Sequence, residues 1–297
     1  MNKHGTTMKT LCGALTLVVA GTLCLAQVNY TIPLGPPGSE EARMRTMNEV
    51  EPETVIYSLP MTITNSGAYV LVKDLQASPL NNGITIAAND VSVNLNGFAL
   101  VGATNSQYGI YVFGSRERIH VRNGNLRYWA GNAVEATAAK NSTFEDLVLS
   151  TNGYQYGGTA SIVVGANSSI ARCLILNNKY GVITSDGCKI ENCIVNGNSG
   201  YGFSLGQNCI VRNCMSVGNQ STGFFLQKNC IVTDCNAVSN MGNGFYGSYN
   251  VILSQCTAAT NTQSGFFAGR GSVISYCTAL ENGTGFYVYQ GTVVNNC

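Results

Sequence analysis

Hydrophobic and polar positions recur along this chain with two periods at once. Within short segments apolar and polar residues alternate, as in Gly202-Phe203-Ser204-Leu205 and Ile210-Val211-Arg212. Groups of three such segments then repeat every 20 or 21 residues. Alternation is typical of strands with one buried face, and beyond about residue 30 no stretch shows the 3.6-residue period of a helix. The pattern therefore predicts an all-β protein built from short strands.

Three columns of like residues mark the repeat, and three residue types sharing one period predict a solenoid in which like positions stack. The columns are Cys173, Cys193, Cys214, Cys235, Cys256, Cys277 and Cys297; Asn178, Asn198, Asn219, Asn240, Asn261 and Asn282; and Gly202-Phe203, Gly223-Phe224, Gly244-Phe245, Gly265-Phe266 and Gly285-Phe286. Three short strands in each coil of 20–21 residues predict a parallel β-helix. We favour the right-handed form, because left-handed coils are built from hexapeptides and hold only about 18 residues.

The same pattern divides the chain. Residues 1–26 resemble a secretory signal peptide, with Lys3 and Lys9 before an apolar run and Cys24-Leu25-Ala26 at a possible cleavage site. The run is shorter than the roughly 20 residues that span a bilayer, which disfavours the alternative of a retained membrane anchor. We predict a linker and cap over residues 27–82 and a β-helix over 83–297 that lacks its C-terminal cap. The expected location is secreted, periplasmic or cell-surface, without stable membrane insertion.

Charge excludes one class of partner. Charged residues make up 10% of the chain and its net charge is +1, without a basic patch, so nucleic acid is not an expected partner. The 45% of apolar residues recur in register, which argues against a disordered chain.

Two phrases carry a family resemblance. Asn94-Leu95-Asn96-Gly97-Phe98 and Val121-Arg122-Asn123-Gly124-Asn125 resemble phrases found near the first coils of secreted bacterial right-handed parallel β-helix repeat proteins, which have the pectin-lyase-like fold. The resemblance spans about residues 50 to 297. It implies the fold and leaves the activity open, since this fold carries many functions.

The catalytic motifs of the fold's enzymes are missing. Polygalacturonases carry an Asp-Asp pair and a Gly-His-Gly, whereas this chain has no Asp-Asp and its histidines are His4 and His120. Glu145 and Asp146 are sequence neighbours and should point to opposite faces of a strand. Glu191 should pair with Arg212 one coil further on. We therefore favour a protein without catalytic activity over an enzyme, and we expect no metal and no cofactor.

The cysteine and asparagine columns allow two interpretations each. Stacked cysteines lie within disulfide range, but free cysteine also packs as a small apolar residue; we favour mostly free, buried thiols, including a second column of Cys188, Cys209 and Cys230. We interpret the asparagines as structural rather than functional, because Asn tolerates left-handed turns and stacked amides can bond from coil to coil.

The candidate binding surface is a row of aromatic residues that follow the Gly-Phe pairs. Alternation places Phe225, Tyr246, Phe267 and Tyr287 on the outside, where aromatic faces could bind sugar rings. A polar column three residues further along contains Asp186, Lys228 and Arg270. A further segment of the chain, or self-association through this row or the open C-terminal end, could cover the row instead.

Two functions follow from these observations. The first is an exported, non-catalytic β-helix that binds extracellular polysaccharide or acts as a surface module. The alternative is a lyase or epimerase on acidic glycans that uses Lys228 or Arg270 together with Asp186.

Overall fold

The computed structural model describes residues 53–154 and 160–297, and all regular secondary structure in them is β-strand. Strands of successive turns pair in parallel along three faces of one solenoid, and one face contains eleven strands, so the described residues make eleven coils. The predicted right-handed parallel β-helix is confirmed. The predicted signal peptide and residues 27–52 of the predicted linker lie outside the described residues. Among the described residues, no helix is long and apolar enough to cross a bilayer.

Each complete coil contributes one strand to each face in the order 1, 2, 3; Thr54–Ile56 precedes the first complete coil on face 2, and the last described coil has strands on faces 1 and 2 alone. Face 1 consists of Met61–Ile63, Ile84–Ile86, Ile110–Val112, Val134–Ala136, Ile162–Val164, Val182–Thr184, Phe203–Leu205, Phe224–Leu226, Phe245–Gly247, Ser264–Ala268 and Thr284–Val288. Face 2 consists of Thr54–Ile56, Gly67–Leu71, Val91–Asn94, Ile119–Arg127, Thr143–Ser150, Ser169–Ala171, Lys189–Glu191, Ile210–Arg212, Ile231–Thr233, Ile252–Ser254, Val273–Ser275 and Val293–Asn295.

Face 3 shares two long strands with face 2. It consists of Leu75–Gln76, Ala99–Val101, the second halves of Ile119–Arg127 and Thr143–Ser150, and then Leu174–Leu176, Ile194–Asn196, Met215–Val217, Asn236–Val238, Thr257–Ala259 and Thr278–Leu280. A short additional pair, Arg116–Glu117 with Ala139–Lys140, lies between faces 1 and 2 in the chain.

Alternation within each strand separates the core from the surface. On face 1, Phe203, Phe224, Phe245 and Phe266 are fully buried and stack with ring centroids 4.6 to 5.0 Å apart. Full burial of such a side chain stabilises the fold by about 1.5–3 kcal/mol. The glycine before each phenylalanine allows the coils to approach closely, since a Cβ at Gly244 would lie 2.7 Å from the carbonyl oxygen of Gly265.

The chain turns at corners where one residue adopts a positive φ. In the coil that begins at Gly202 these residues are Asn208, Asn213 and Gly218, with φ of 57°, 49° and 59°. Asn and Gly adopt this left-handed conformation at low cost. The buried column that contains Asn219 directly follows such a corner and does not itself have positive φ in the described chain. The expectation that this column adopts left-handed turns is therefore wrong. The residue that directly precedes each asparagine, such as Gly218 before Asn219, adopts the left-handed conformation instead.

The predicted hydrogen bonds between stacked asparagines are confirmed. Asn240 is 1% exposed, and its Oδ1 accepts hydrogen bonds from the backbone N (3.1 Å) and Nδ2 (2.9 Å) of Asn219. Its Nδ2 donates to the carbonyl oxygen of Ser216 and to Oδ1 of Asn261, both at 3.0 Å. The column therefore satisfies buried polar groups that the turn leaves without partners, which is a structural role.

The cysteine columns stack in the predicted register. The backbone N of Cys193 lies 3.5 Å from Sγ of Cys214, whose own N lies 3.4 Å from Sγ of Cys235. The cysteines of residues 173–277 are buried, Cys297 is exposed, and all ten are free thiols in the structure. A hydrogen bond with the neighbouring Cys193 thiol, together with burial, raises the pKa of Cys173 well above its usual value. Protonated, buried thiols of this kind are chemically inert.

The parallel ladder extends to the N-terminal side of Gly83. Thr54–Ile56 pairs with Gly67–Leu71, and Met61–Ile63 pairs with Ile84–Ile86, each in parallel register. The segment interpreted as a cap therefore contributes an in-register coil of the solenoid.

Candidate functional site

The predicted aromatic row is present on the outside of face 1. The strand register places Ser204, Phe225, Tyr246, Phe267 and Tyr287 opposite one another in successive coils. Each ring lies between two inward side chains of its strand, so alternation alone positions it. Phe225, Tyr246 and Phe267 are partly buried, and Tyr287 is exposed.

The rings in this row stack on one another. The centroid distances are 5.1 Å from Phe225 to Tyr246, 4.5 Å from Tyr246 to Phe267 and 5.2 Å from Phe267 to Tyr287, with interplanar angles of 3°, 12° and 7°. Nearly parallel rings at this spacing cover each other's faces and turn their edges outward. The expectation that the faces of this row are free to bind sugar rings is therefore wrong for the interior of the stack.

Other aromatic residues extend the row beyond the predicted column. The ring centroid of Tyr201 lies 5.3 Å from that of Phe225, and the ring centroid of Tyr180 lies 6.1 Å from that of Tyr201. Tyr289 contacts Phe267 edge-on at 5.6 Å with an interplanar angle of 64°. Tyr201 immediately precedes Gly202, and Tyr289 is the second residue after Tyr287. These residues occur outside the repeated column, so the period alone did not reveal them.

The predicted polar column runs beside the aromatic row. The backbone N atoms of Asn208, Asn229 and Asn250 donate to the carbonyl oxygens of Lys228, Tyr249 and Arg270, which fixes the register of the column. At about 4.8 Å per coil, Asp186 and Arg270 are four coils and roughly 19 Å apart. The Asp186 carboxylate accepts a hydrogen bond from the backbone N of Gln207 at 2.7 Å. The structure therefore does not bring Asp186 and Arg270 together.

Clefts lie on both sides of the aromatic stack. One of about 250 Å³, here called the tyrosine cleft, is lined by Tyr246, Ser248, Tyr249, Phe267, Gly269, Arg270 and Tyr289. Another of about 540 Å³, on the opposite side, is lined by Asn243, Tyr246, Thr262, Gln263, Ser264, Phe267, Gly283, Thr284 and Tyr287. The polar column therefore meets the aromatic row in the tyrosine cleft.

Two side chains in the tyrosine cleft are available to a ligand. Tyr249 is 56% exposed, and no other aromatic ring contacts it in the part of the chain that the structure describes. The Arg270 guanidinium is exposed and makes no ion pair or side-chain hydrogen bond within residues 53–154 and 160–297. Electrostatic repulsion from Tyr287, the largest cause, raises the pKa of Tyr289, and Tyr246 and Tyr249 act in the same direction. Several phenol groups therefore converge beside one unpaired cation.

A second group of polar residues lies on face 2, and the sequence analysis did not identify it. The expectation that Glu145 and Asp146 point to opposite faces is wrong, because Asp146 has a φ of 55° at a corner. Arg172 donates to Glu145 Oε2 at 2.6 Å and to Asp146 Oδ1 at 2.7 Å. His120 Nε2 lies 2.8 Å from Glu145 Oε1. The hydrogen bonds from His120 and then Arg172 lower the pKa of Glu145, and that from Arg172 lowers the pKa of Asp146.

Glu191 also differs from its predicted pairing. It lies opposite Arg212 in the register, but its carboxylate pairs with Lys189 of its own strand at 2.9 Å. Within the described ranges, no three His, Cys, Asp or Glu side chains are grouped so that they could hold a metal ion.

Comparisons with known proteins agree with the fold. A family model described as a right-handed beta helix region matches residues 108–249. No curated protein sequence matches the chain. The solved structure of the A-module of the mannuronan C-5 epimerase AlgE4 from Azotobacter vinelandii has a TM-score of 0.57 at 11% identity, covering 82% of this chain and 85% of that one.

Two further solved structures are similar. The Dettilon tailspike protein has a TM-score of 0.50 at 9% identity, covering 82% of this chain and 51% of its own, so the match spans about half of the tailspike. A mutant of the periplasmic alginate epimerase AlgG has a TM-score of 0.48 at 12% identity, covering 79% of this chain and 76% of its own. The low identities to the AlgE4 module and the tailspike indicate a shared fold alone. The matched repeat region, together with the eleven parallel coils of the described residues, shows that this chain has the right-handed parallel β-helix fold.

Proposed function

We propose that this protein is an exported, non-catalytic β-helix that binds an extracellular polysaccharide carrying acidic groups, and that the tyrosine cleft is the binding site. The observation that carries the proposal is the exposed, unstacked ring of Tyr249 beside the unpaired guanidinium of Arg270. An exposed ring offers an apolar surface to a pyranose, and an arginine matches the geometry of a carboxylate or sulfate.

Neighbouring positions support an extended, acidic ligand. Lys228 occupies the polar column one coil before Tyr249, and Arg270 lies one coil after it, so the two cations are about 10 Å apart along the rod. Lys228 is exposed and, like Arg270, makes no ion pair within the described chain. A polysaccharide lying along the solenoid axis would meet Lys228, the ring of Tyr249 and Arg270 in that order. The N-terminal segment with the features of a signal peptide supports export.

The alternative of a lyase or epimerase that combines Asp186 with Lys228 or Arg270 has weaker support. Asp186 lies two coils, about 10 Å, from Lys228 and four coils, about 19 Å, from Arg270, and its carboxylate accepts a hydrogen bond from the backbone N of Gln207. The proposal therefore assigns binding, rather than bond cleavage, to this surface.

Binding should be measured by affinity electrophoresis with polygalacturonate and with a neutral galactan. The parent protein should be retarded by polygalacturonate, and Tyr249→Ala combined with Arg270→Gln should weaken binding by roughly 100-fold, since the two lost contacts contribute roughly 1.5 kcal/mol each. Added salt should weaken binding because exposed charges are screened.

Tyr57→Ala is a matched control, because Tyr57 is 66% exposed and lies in the first coil. It should leave retardation unchanged. Equal retardation of the double variant and the parent would remove the tyrosine cleft from the binding site. Release of unsaturated uronate, followed by its absorbance, would contradict the assignment of a non-catalytic role.

A further inference from the structure

A groove follows the corner after face 3 in the first four coils, and we call it the corner groove. It has a volume of about 470 Å³, and one residue from each of these four coils lines it: Gln76, Thr104, Tyr128 and Tyr154. Three steps of about 4.8 Å give a length of roughly 14 Å. Ligand sites in proteins usually have volumes of about 300–1,000 Å³, so the groove has room for a small molecule.

Long corners form the walls of this groove. In the second coil residues 102–109 connect face 3 to the next strand of face 1, whereas residues 218–223 make the same connection in a later coil. The longer segment is held in place, since the carbonyl oxygen of Asn105 accepts a hydrogen bond from the backbone N of Leu80 at 2.9 Å. A wall that is already ordered loses little conformational entropy when a ligand binds.

Two tyrosine rings are exposed in the groove. Tyr128 is 57% exposed and Tyr154 is 51% exposed, and neither ring contacts another aromatic ring in the described chain. The Tyr154 hydroxyl donates to the carbonyl oxygen of Asn177 at 3.0 Å. Tyr128 precedes the buried Trp129, whose backbone N donates to Oδ1 of Asn152 at 3.0 Å. Both tyrosines are therefore anchored while their rings remain open to a ligand.

Uncharged polar groups lie beside the rings. The hydroxyls of Thr104 and Thr151 and the amide of Asn105 line the groove and make no hydrogen bond within residues 53–154 and 160–297. Nε2 of Gln76 donates to the carbonyl oxygen of Gly102 at 2.9 Å, which fixes that amide at one end. Hydroxyl and amide groups both donate and accept hydrogen bonds, as the hydroxyls of a sugar require.

Charge selects the class of ligand. No charged side chain is among the described residues that line the groove. The guanidinium of Arg127 lies over the Tyr128 ring, 6.0 Å from its centroid, and is not part of the lining. A carboxylate or sulfate in this groove would lose hydration without gaining a counter-ion, which is unfavourable. The lining therefore matches a neutral ligand rich in hydroxyl groups.

We propose that the corner groove binds a neutral oligosaccharide, with the rings of Tyr128 and Tyr154 against the apolar faces of sugar units and Thr104, Asn105 and Thr151 bonded to their hydroxyls. Exposed tyrosine rings combine an apolar surface with a polar end, which suits such a ligand. The groove lies in coils 1 to 4 and the tyrosine cleft in coils 9 to 11. The proposal therefore does not depend on the function proposed for the tyrosine cleft.

Isothermal titration calorimetry of the full protein tests the ligand class. The probes are neutral hexasaccharides of glucose, mannose and xylose, and at least one of them should bind. Its affinity should not change with added salt, because no charge is paired. Excess hexagalacturonate should not displace it. Absence of binding by all three probes, or displacement by hexagalacturonate, would overturn the proposal.

Tyr128→Ala tests the ring itself and should weaken binding of the responding hexasaccharide by about tenfold, since it removes apolar surface that the sugar covers. Tyr276→Ala is the matched control, because Tyr276 is 63% exposed and has a φ of 54°, close to the 62° of Tyr128. The control should keep the affinity, and both variants should shift the melting temperature by less than about 1 °C. Unchanged affinity in Tyr128→Ala would reject the site.

A polar variant keeps the test valid if removal of the ring affects folding. Asn105 has a φ of 60°, a conformation that glycine adopts without strain, so Asn105→Gly deletes the amide and should leave the fold intact. It should weaken binding by about 3- to 10-fold. Full affinity in Asn105→Gly, together with a melting temperature several degrees lower in Tyr128→Ala, would show that the ring has a structural role and would overturn the proposal.

The two proposed sites can be separated with the same variants. Tyr249→Ala combined with Arg270→Gln should keep binding of the neutral hexasaccharide and lose retardation by polygalacturonate, and Tyr128→Ala should do the opposite. A protein that binds the neutral probe but not polygalacturonate would support the corner groove and reject the function proposed for the tyrosine cleft. Loss of neutral binding in the cleft variant alone would assign the neutral sugar to the cleft and reject the corner groove.

Discussion

Removing two neighbouring rings from the aromatic row tests whether the row is a structural stack. Tyr246→Ala combined with Phe267→Ala deletes the two central rings. The change abolishes stacked contacts of 5.1, 4.5 and 5.2 Å with Phe225, between the two rings, and with Tyr287. It also removes the edge contact between Phe267 and Tyr289. Because these rings cover each other's faces, the change should reduce stability.

The magnitude follows from counting contacts. Each aromatic pair contributes about 0.5–1.5 kcal/mol beyond the area it buries, so four pairs give roughly 2–6 kcal/mol. Neighbouring contacts are not additive, which favours the lower half of this range. We therefore expect a loss of about 3 kcal/mol. For a domain of this size the loss corresponds to a melting temperature lower by roughly 6–12 °C.

Urea unfolding followed by circular dichroism measures this loss, with thermal unfolding as a second probe. Tyr249→Ala is the control, because it removes a ring of the same surface that is 56% exposed and has no stacked neighbour in the described chain. The control should shift the melting temperature by less than about 1 °C, consistent with ordinary surface substitutions. A double variant as stable as the parent would refute the stacking argument and restore the interpretation that the row is an open binding face.

Two further predictions concern the buried columns. Asn240→Ala should cost about 3–5 kcal/mol, because it removes four hydrogen bonds and leaves buried groups without partners. Asn282→Ala, at a partly buried position with three such bonds, should cost less in the same urea titration, and equal losses would contradict the argument. The buried thiols of both cysteine columns should resist alkylation in the native protein and react after unfolding without reductant. Mass spectrometry that detects several coil-to-coil disulfides would overturn this prediction.

The repeat made much of the C-terminal half predictable. Every coil from Cys173 onward has the same length within one residue, so one period places the inward phenylalanines, the cysteine columns and the outward aromatic row. The hydrogen-bonded asparagine column follows from the same spacing. Side-chain alternation in a strand is a backbone property, and it holds wherever the strands stay in register.

The group of polar residues around Glu145 and Arg172 on face 2 could not be predicted from the repeat. Ser92, His120, Thr143 and Ser169 lie opposite one another in successive coils, yet they are separated by 28, 23 and 26 residues. Coils of unequal length give no constant period from which to infer which side chains meet. The positive φ at Asp146 then breaks the alternation, so that Arg172 reaches both neighbouring carboxylates.

By itself, the sequence determined the solenoid, its strand order and which residues face outward, because these depend on backbone periodicity that a regular repeat displays directly. Only the tertiary structure decided how the outward side chains are oriented and what they contact. The planes of Tyr246 and Phe267 depend on side-chain rotation and on packing between coils, which no spacing encodes. The corner groove takes its lining from four coils of unequal length, so it emerges only when these coils are assembled.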